Sequence, residues 1–451
     1  MQRRGEVCVM AAAGMMGSSF DEQSFRRGLD LGPDVIGCDS GTCDSGPYYL
    51  GAGVARMSRA ATKRDLTLMI TEGVRRGIPV LVGSAGTSGG DPNVDWMVGI
   101  VKEIAAEQGL RFRLAEIKTE ITPERLAQYR RAGKLLPLDG APDAGEEELL
   151  GVTRCVSVIG PEPYMKALDG GAQVVIAGRS TDTAIFAAVP ARFGLDNAYA
   201  WHAAKVLECG SLASDFEIRH GAMLAWVRED SASIEPGHPD MSASPVSVVS
   251  HTLYENADPF TLVEPGRAVH TKDSVYEAED PRRVRITGSE MERRPYTVKV
   301  EAAKFEGYRR VAVGGVADPL ILRQFGAWLE DVLAQSRDKI RRGLGLEPGA
   351  YRLRHLVYGD PENPAGKPVG VVFDILADTP ERAEAIITNV WHTALHVPVR
   401  DWRGAQSQVA FPFSPPTLQP QNGGETYSYC LNHVLALDDP LETSRITYHD
   451  L

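Results

Sequence analysis

Apolar residues in the first half of the chain fall into two kinds of segment that alternate. Short, almost continuous apolar runs such as Ile78–Gly83 are typical of strands buried on both faces. Longer segments such as Lys63–Arg76, with Leu66, Met69 and Ile70 on one side, indicate amphipathic helices. The predicted strands are Glu6–Ala12, Asp34–Asp39, Ile78–Gly83, Arg111–Ile117 and Gln173–Ile176, and the predicted helices are Asp21–Leu29, Lys63–Arg76, Val94–Gln108, Thr122–Ala132, Pro161–Leu168 and Thr183–Phe193.

This alternation predicts an α/β fold with a mostly parallel sheet covered by helices in the N-terminal half. The pattern then changes to short β-rich segments, and later to a strand–loop–strand–helix order typical of a smaller α+β domain. Within the last region, Ala317–Arg342 is predicted to form one helix and Pro412–Leu451 an irregular tail. We therefore expect an α/β domain at residues 1–215 that carries glycine-rich loops, a β-rich segment at residues 216–320 that contributes to the cleft, and an α+β C-terminal domain at residues 321–451.

Composition and charge exclude several classes of protein. The chain has 43% apolar and 24% charged residues, as soluble globular proteins do, and its formal net charge of −12 opposes general nucleic-acid binding. No apolar run approaches the roughly 20 residues that span a membrane. The patch after Arg3 and Arg4 is too short for a signal peptide and includes Glu6. We expect a cytoplasmic protein with no membrane or nucleic-acid partner.

Cysteine usage indicates reduced thiols. The chain has six cysteines. They are scattered and none forms a CxxC pair, so neither a disulfide framework nor a zinc ribbon is predicted.

Ligands of open α/β sheets bind beyond the carboxyl ends of the strands, and four polar segments follow such ends here. In the first, Asp39 and Asp44 lie five residues apart among glycines and hydroxyls. They are candidate catalytic bases, with a divalent metal such as Mg²⁺ as a further option, and Ser40, Thr42 and Tyr48 are candidate substrate-binding residues. The alternative is a loop in which aspartates satisfy backbone amides.

The second segment, Gly83–Gly90, precedes a predicted helix, whose N-terminus favours negative charge. It matches neither the Walker A nor the GxGxxG pattern, so no nucleotide-binding motif is present. Binding of a substrate carboxylate or phosphate is one interpretation, and a tight turn with glycines for packing is the other. The candidate binding residues are Gly83, Ser84, Gly86, Thr87, Ser88 and Gly89.

The third segment has Arg179 and Asp182 three residues apart, with Ser180 and Thr181 between them. Arg179 has the shape to bind a substrate carboxylate at two points, with Ser180 and Thr181 as further binding residues. Asp182 is a candidate base, or else the N-cap of the next helix.

The fourth segment offers His202 and Glu208 as candidate catalytic residues. Cys209 is either a nucleophile, if a nearby cation lowers its pKa, or an ordinary buried thiol.

Residues in the later part of the β-rich segment are candidates to cap the same cleft from a second domain. They are Tyr296, Lys299, Glu301, Tyr308 and Arg309.

Five motifs along the chain belong together. They are Gly178-Arg179 with Asp182, Glu208-Cys209-Gly210, Asp39 to Gly51, Gly83-Ser84-Ala85-Gly86, and Gly314-Gly315 with Asp318-Pro319. In combination they resemble the acyclic terpene utilisation (AtuA-like) family over roughly residues 5–400. The resemblance implies bacterial catabolism of branched or polyfunctional carboxylic acids, often beside acyl-CoA enzymes.

The combined expectation is an enzyme of carboxylic-acid or acyl-CoA catabolism. A lyase of the hydratase/dehydratase type is favoured, since it needs a positioned base beside a bound carboxylate or thioester. The alternatives are a hydrolase with a cysteine or hydroxyl nucleophile and a non-catalytic subunit of a catabolic complex. The expected ligand is a small-molecule carboxylate or acyl-CoA, and the expected assembly is a homo-oligomer.

Overall fold

The computed structural model describes residues 4–215, 220–362, 368–402 and 421–451. The chain forms two compact units. The first comprises Met1–Lys304 with Tyr429–Leu451, and the second comprises Phe305–Ser428.

Strands and helices alternate through most of the first unit. The elements of both units are numbered together here in chain order. The strands are β1 (Glu6–Ala11), β2 (Val35–Asp39), β3 (Val80–Gly83), β4 (Arg113–Lys118), β5 (Leu135–Pro137), β6 (Arg154–Ser157), β7 (Val174–Ala177), β8 (Met223–Arg228), β9 (Ala232–Pro236), β10 (Thr261–Glu264), β11 (Arg267–His270), β12 (Val275–Ala278), β13 (Val284–Thr287), β14 (Glu290–Arg293), β15 (Thr297–Val316), β16 (Tyr351–Tyr358), β17 (Val369–Ala377), β18 (Gln421–Tyr429), β19 (His433–Ala436) and β20 (Arg445–Asp450). The helices are α1 (Glu22–Asp30), α2 (Tyr48–Ala52), α3 (Arg59–Arg76), α4 (Asp91–Gln108), α5 (Pro123–Arg131), α6 (Glu146–Leu150), α7 (Glu162–Asp169), α8 (Ala184–Arg192), α9 (Ala198–Leu207), α10 (Pro245–Thr252), α11 (Pro319–Leu322), α12 (Phe325–Leu344) and α13 (Pro380–His396).

A ten-stranded sheet forms the centre of the first unit. Its middle strands, in the order β1-β2-β3-β7-β4, are all parallel. Antiparallel strands extend it on both sides, with β8, β9, β13 and β12 beyond β1 and β20 beyond β4. The predicted α/β class is confirmed.

Both faces of this sheet are buried, which explains the continuous apolar runs in its strands. Val7 and Val9 of β1 pack into one core together with residues of α8 and α9. Cys8 and Met10, which point the other way, pack into a second core with residues of α3 and α4. Helices therefore cover the two faces.

Local sequence marks the ends of several helices. The hydroxyl of Thr122 accepts a hydrogen bond from the Arg125 amide at the start of α5, whose first residue is Pro123. Helix α3 ends at Gly77, which adopts a left-handed conformation with φ of 70°.

Three strand ends meet at one edge of the sheet. Asp39, the last residue of β2, lies opposite Gly83, the last residue of β3. On its other side β3 pairs with β7, where Val82 lies opposite Ile176. Because the strands are parallel, the first three polar segments leave the sheet side by side.

Smaller sheets complete each unit. In the first unit, the first half of β15 pairs with β6 and β19, and β10, β11 and β14 form a separate sheet. In the second unit, the later half of β15 pairs with β17, and β17 with β16. Helices α12 and α13 supply Trp328 and Trp391 to the core of that unit, beside Phe373 of β17.

Two sequence predictions about the C-terminal region are wrong. The tail is not irregular where it is described, because β18, β19 and β20 are regular strands, and β20 pairs along its whole length with β4. Residues 403–420 lie outside the described residues. The expected helix Ala317–Arg342 is interrupted, since α11 ends at Leu322 and α12 begins at Phe325.

Among the described residues, no helix combines the length and the apolar character that crossing a bilayer requires. All six cysteines lie in the described residues, and none of them forms a disulfide.

Candidate functional site

Arg179 connects the polar segments that follow β3 and β7. Its guanidinium donates to Glu301 at two points, from Nε to Oε2 at 3.0 Å and from Nη2 to Oε1 at 3.3 Å. Its Nη1 donates to the Ser84 hydroxyl at 3.0 Å and lies 3.4 Å from Oδ1 of Asp182. The two-point bond of Arg179 is thus made to Glu301 of β15 in the same chain, and the binding of a substrate carboxylate stays a prediction.

The segment after β2 reaches the same guanidinium. A Cβ atom added to Gly41 would lie 2.4 Å from Nη1 of Arg179, so only glycine fits there. The Gly41 amide donates to Oδ2 of Asp39 at 2.8 Å, whereas Oδ1 of Asp39 is buried without a hydrogen-bond partner among the described residues. Burial and the charge of Asp182 hold the pKa of Asp39 well above its usual value, although Arg179 opposes them.

Asp182 differs from its acidic neighbours in being accessible. Its side chain is 44% exposed, against 11% for Glu301. Desolvation of the carboxyl group raises the pKa of Asp182. The positive charge of Arg179 limits this rise, and the negative charge of Glu301 adds to it. Thr183 occupies the N-cap position of α8 with no side-chain capping bond, so helix capping does not explain Asp182.

The segment after β3 has few amides left for an anionic ligand. The amides of Ser84, Ala85, Thr87 and Gly89 donate to backbone carbonyls of the chain. At the start of α4, the Asp91 amide donates to the Glu120 carboxylate at 2.7 Å. The first turn of α4 thus already holds the carboxylate of Glu120, and the four amides are engaged within the protein.

Packing accounts for much of the same segment. A Cβ atom on Gly89, which has φ of 66°, would lie 2.2 Å from the Arg179 backbone nitrogen. A Cβ atom on Gly83 would meet the Ser180 side chain at 2.7 Å. The Ser88 hydroxyl donates to Asn93 at 3.0 Å. Gly86, also with positive φ, lies against Asn93, and Thr87 is buried.

Other predicted residues lie at the margin of this group. Ser40 is buried and its amide donates to the Gly83 carbonyl, and the Thr42 amide donates to Thr87. Asp44 and Tyr48 are exposed.

Two hydroxyls of the third segment bond within the protein. Ser180 accepts from the Tyr164 hydroxyl at 2.9 Å. Thr181 bonds to Thr183 at 3.1 Å.

The fourth segment contains a buried ion pair that the sequence analysis missed. Nζ of Lys205 lies 2.5 Å from Oε1 of Glu208, and both side chains are almost inaccessible. Burial, opposed by Lys205, raises the pKa of Glu208 to about 8. Helix α9 has the sequence Ala-Tyr-Ala-Trp-His-Ala-Ala-Lys-Val-Leu, in which Lys205 is the one charged residue. A single lysine in such a helix was the signal in the sequence that a buried acidic partner lies nearby.

Cys209 and His202 lack the features of reactive groups. Burial and the neighbouring Glu208 raise the pKa of Cys209 to about 12, which disfavours a thiolate. His202 is fully buried, and its ring nitrogens bond to Ser289 at 2.8 Å and Thr252 at 3.0 Å. Burial lowers the pKa of His202 to about 4, which favours the neutral imidazole.

Glu264 is a further acid that no sequence motif marked. Its Oε1 accepts from the Thr183 hydroxyl at 2.6 Å, and its Oε2 is buried without a partner among the described residues. Burial raises the pKa of Glu264 to about 7.

A cavity of about 440 Å³ in the first unit adjoins the Arg179–Glu301 pair. Glu301 lines it, together with Cys43, Lys299, Tyr429 and His433. The charge of Lys299 acts on Glu301. The volume is within the range of about 300–1,000 Å³ that small-molecule sites occupy.

The remaining candidates for capping the cleft differ in position. Tyr296 donates from its hydroxyl to Glu162 at 2.6 Å in the first unit. Tyr308 and Arg309 belong to the second unit, where Arg309 pairs with Asp374.

Comparison with known proteins gives one match. The model of the family described as "Acyclic terpene utilisation family protein AtuA" matches residues 61–410, which is most of the chain. No curated protein and no solved structure matches. The matched region includes the segments after β3 and β7, the Glu208–Cys209 segment and Glu301. The chain belongs to the acyclic terpene utilisation family.

Proposed function

We propose that this protein is an enzyme of carboxylic-acid or acyl-CoA catabolism that moves a proton next to a carboxyl or thioester group. A lyase of the hydratase/dehydratase type carries out such a step. The family name points to substrates derived from acyclic terpenes, and hence to branched acyclic acids or their thioesters.

The accessibility of Asp182 within a group of buried acids carries this proposal. A general base must reach the substrate and must have a pKa near the working pH. Asp182 is 44% exposed and its pKa is raised. Asp39, at 2% exposure, is too enclosed to reach a substrate directly, and the charge of Asp182 helps to hold its pKa above the usual value.

Arg179 has a positioning role in this proposal. It is held at two points by Glu301 and by the Ser84 hydroxyl, so its Nη1 has a fixed place beside Asp182. A fixed cation limits the rise in the pKa of Asp182 and keeps the base ionised nearer neutral pH.

We place the anionic end of the substrate in the cavity beside Glu301, and its reacting carbon beyond the Arg179–Glu301 pair, on the side of Asp182. Lys299 at its wall supplies a positive charge for a carboxylate or a phosphate of coenzyme A. This assignment replaces the amides after β3, which the protein itself uses.

Hydrogen exchange tests the proposal without knowledge of the full reaction. The protein is incubated in D₂O with a panel of branched acyclic acids and their CoA thioesters, and deuterium at the carbon next to the carbonyl is measured by mass spectrometry. The wild-type protein should catalyse exchange into at least one compound. Asp182→Asn should lower the rate by about 10²–10⁴-fold, the usual contribution of a general base.

The control is Asp169→Asn, which removes an exposed aspartate paired with Arg192 on the surface. It should exchange at the wild-type rate. Absence of exchange with every compound would contradict the proton-transfer function, and equal rates for Asp182→Asn and wild type would exclude Asp182 as the base. A hydrolase acting through Cys209 would instead release free acid from a thioester and lose activity in Cys209→Ser.

A further inference from the structure

We propose that Glu208, Cys209 and His251 form a binding site for a zinc ion. Each of the three side chains offers one ligand atom, and these atoms all lie within 4.8 Å of one another. Glu208 and Cys209 follow helix α9, and His251 lies near the end of α10, so two separate parts of the first unit contribute.

The burial of His251 supports the site independently of the cluster. The residue is only 7% exposed, and its Nε2 is buried without a hydrogen-bond partner among the described residues. A buried polar atom without a partner costs roughly 1–3 kcal/mol, and such atoms need an explanation. A metal ion bound through Nε2 would satisfy this atom.

The set of ligand atoms selects the metal. Thiolate sulfur and imidazole nitrogen with one carboxylate are typical of zinc, whereas Mg²⁺ and Ca²⁺ prefer oxygen ligands alone. Ligands of a tetrahedral zinc ion lie roughly 3.5 Å apart, given metal–ligand distances of about 2.0–2.3 Å. Side-chain movements of about 1 Å would bring the three atoms to that spacing. Binding would release to solvent the thiol proton of Cys209 and, below the raised pKa of Glu208, the proton of that carboxyl group.

Two charged residues that are not ligands, Lys205 and Asp182, act on the proposed site. Lys205 donates to Oε1 of Glu208 at 2.5 Å, which orients the carboxylate as supporting residues do around metal ligands. The negative charge of Asp182 acts on both Glu208 and Cys209 and favours a cation there, whereas the positive charge of Lys205 acts on all three ligands and opposes it, so the thiolate and the carboxylate must supply most of the charge that holds the metal.

Three protein ligands leave one tetrahedral position for water or substrate, the arrangement of catalytic rather than structural zinc sites. His251 also lines a cavity of about 510 Å³, together with Ser214, Ser250 and Tyr254. A small molecule in this cavity therefore reaches the side chain of His251. The zinc proposal does not depend on the proton transfer assigned to Asp182, because it is judged by metal content.

The test uses the full chain. The purified protein is stripped with a chelator and then titrated with Zn²⁺ or Co²⁺, with Mg²⁺ in excess. We expect one equivalent of either transition metal to bind despite the Mg²⁺, and the cobalt form to show the near-ultraviolet absorption of a thiolate–cobalt bond. Failure of the wild-type protein to bind zinc or cobalt would overturn the proposal, as would cobalt binding without thiolate absorption.

Variants assign the ligands. Cys209→Ser should lose the thiolate–cobalt absorption, and His251→Ala should lose the bound equivalent. Cys43→Ser, which changes an exposed cysteine, should retain both. His392→Ala is the matched histidine control, because exposed His392 and His396 have ring centroids 4.8 Å apart and offer a competing site. Loss of the metal from His392→Ala but not from His251→Ala would overturn the assignment.

Discussion

Arg179 and Glu301 form a two-point ion pair between residues that are 122 positions apart in the sequence. Their side chains are only 9% and 11% exposed. Burial acts to raise the pKa of Glu301, but the charge and the hydrogen bonds of Arg179 outweigh it, so the pKa lies below its usual value. The pair fixes the guanidinium that lies beside Ser84 and Asp182.

Substituting Glu301→Gln should therefore be costly. It leaves a buried guanidinium without its counter-charge, and removal of one partner from a buried ion pair costs about 3–5 kcal/mol. Urea unfolding followed by circular dichroism measures the loss. Glu103→Gln, which affects an exposed pair with Arg59, should leave the free energy of unfolding close to the wild-type value. Equal stability of the two variants would contradict the structural role of Glu301.

The pH dependence of hydrogen exchange should reveal the influence of Arg179 on Asp182. Arg179 lowers the pKa of Asp182, so its removal should raise that pKa further and shift the acid limb of the rate profile to higher pH. The double variant Arg179→Gln/Glu301→Gln avoids leaving either charge alone in the buried site. It also removes the smaller raising effect of Glu301 on the pKa of Asp182, so the expected shift to higher pH is the difference between the two effects. An acid limb at the wild-type pH in this variant would contradict the proposed action of Arg179.

The sequence was sufficient to predict that the polar segments after β2, β3 and β7 meet. Apolar runs alternating with helices indicate parallel strands, and the carboxyl ends of neighbouring parallel strands share one edge of the sheet. Asp39 and Gly83 end paired strands, and Arg179 follows the next strand in the sheet. The meeting of these loops follows from topology alone.

The partners of the individual side chains were not predictable in the same way. Glu301 and Glu264 are each separated by many residues from the groups they bond, and no local spacing marks such a pair. The amides after β3 illustrate a second difficulty, since a glycine-rich turn has the same sequence whether it binds an anion or its own carbonyls. β20 was missed because an edge strand with mostly exposed side chains lacks the apolar pattern of a buried strand.

Glu264→Gln should change how stability depends on pH. The usual glutamate pKa of 4.5 applies to the unfolded chain, whereas burial raises the folded value to about 7. Between these values the folded protein keeps a proton that the unfolded chain has lost, so this contribution is complete below the unfolded pKa and is lost as pH rises through the folded pKa. Glutamine does not titrate.

The variant should therefore gain stability relative to wild type as pH increases from about 4.5 to above 7. The gain should reach about 3 kcal/mol, since each unit of pKa corresponds to about 1.4 kcal/mol. Denaturant unfolding at a series of pH values measures it. Glu277→Gln, at an exposed position on β12, should follow the wild-type curve throughout. A constant difference between Glu264→Gln and wild type would show that Glu264 does not titrate in this range.

Gly89→Ala tests whether close packing against Arg179 holds the segments together. Gly89 has φ of 66°, and an added Cβ would lie 2.2 Å from the Arg179 nitrogen and 2.6 Å from its Cα, both backbone atoms that have no rotamer with which to move aside. Gly77 has nearly the same conformation, with φ of 70°, but open space around the added Cβ. Gly77→Ala should cost only the roughly 1–2 kcal/mol of a left-handed alanine. Gly89→Ala should lower the free energy of unfolding by clearly more, because the steric overlap adds to the same strain. It should also slow the catalysed exchange of deuterium into the substrate, because it displaces Arg179. If both alanine variants lost equal stability, the close packing of the segment after β3 against the segment after β7 would not contribute to stability.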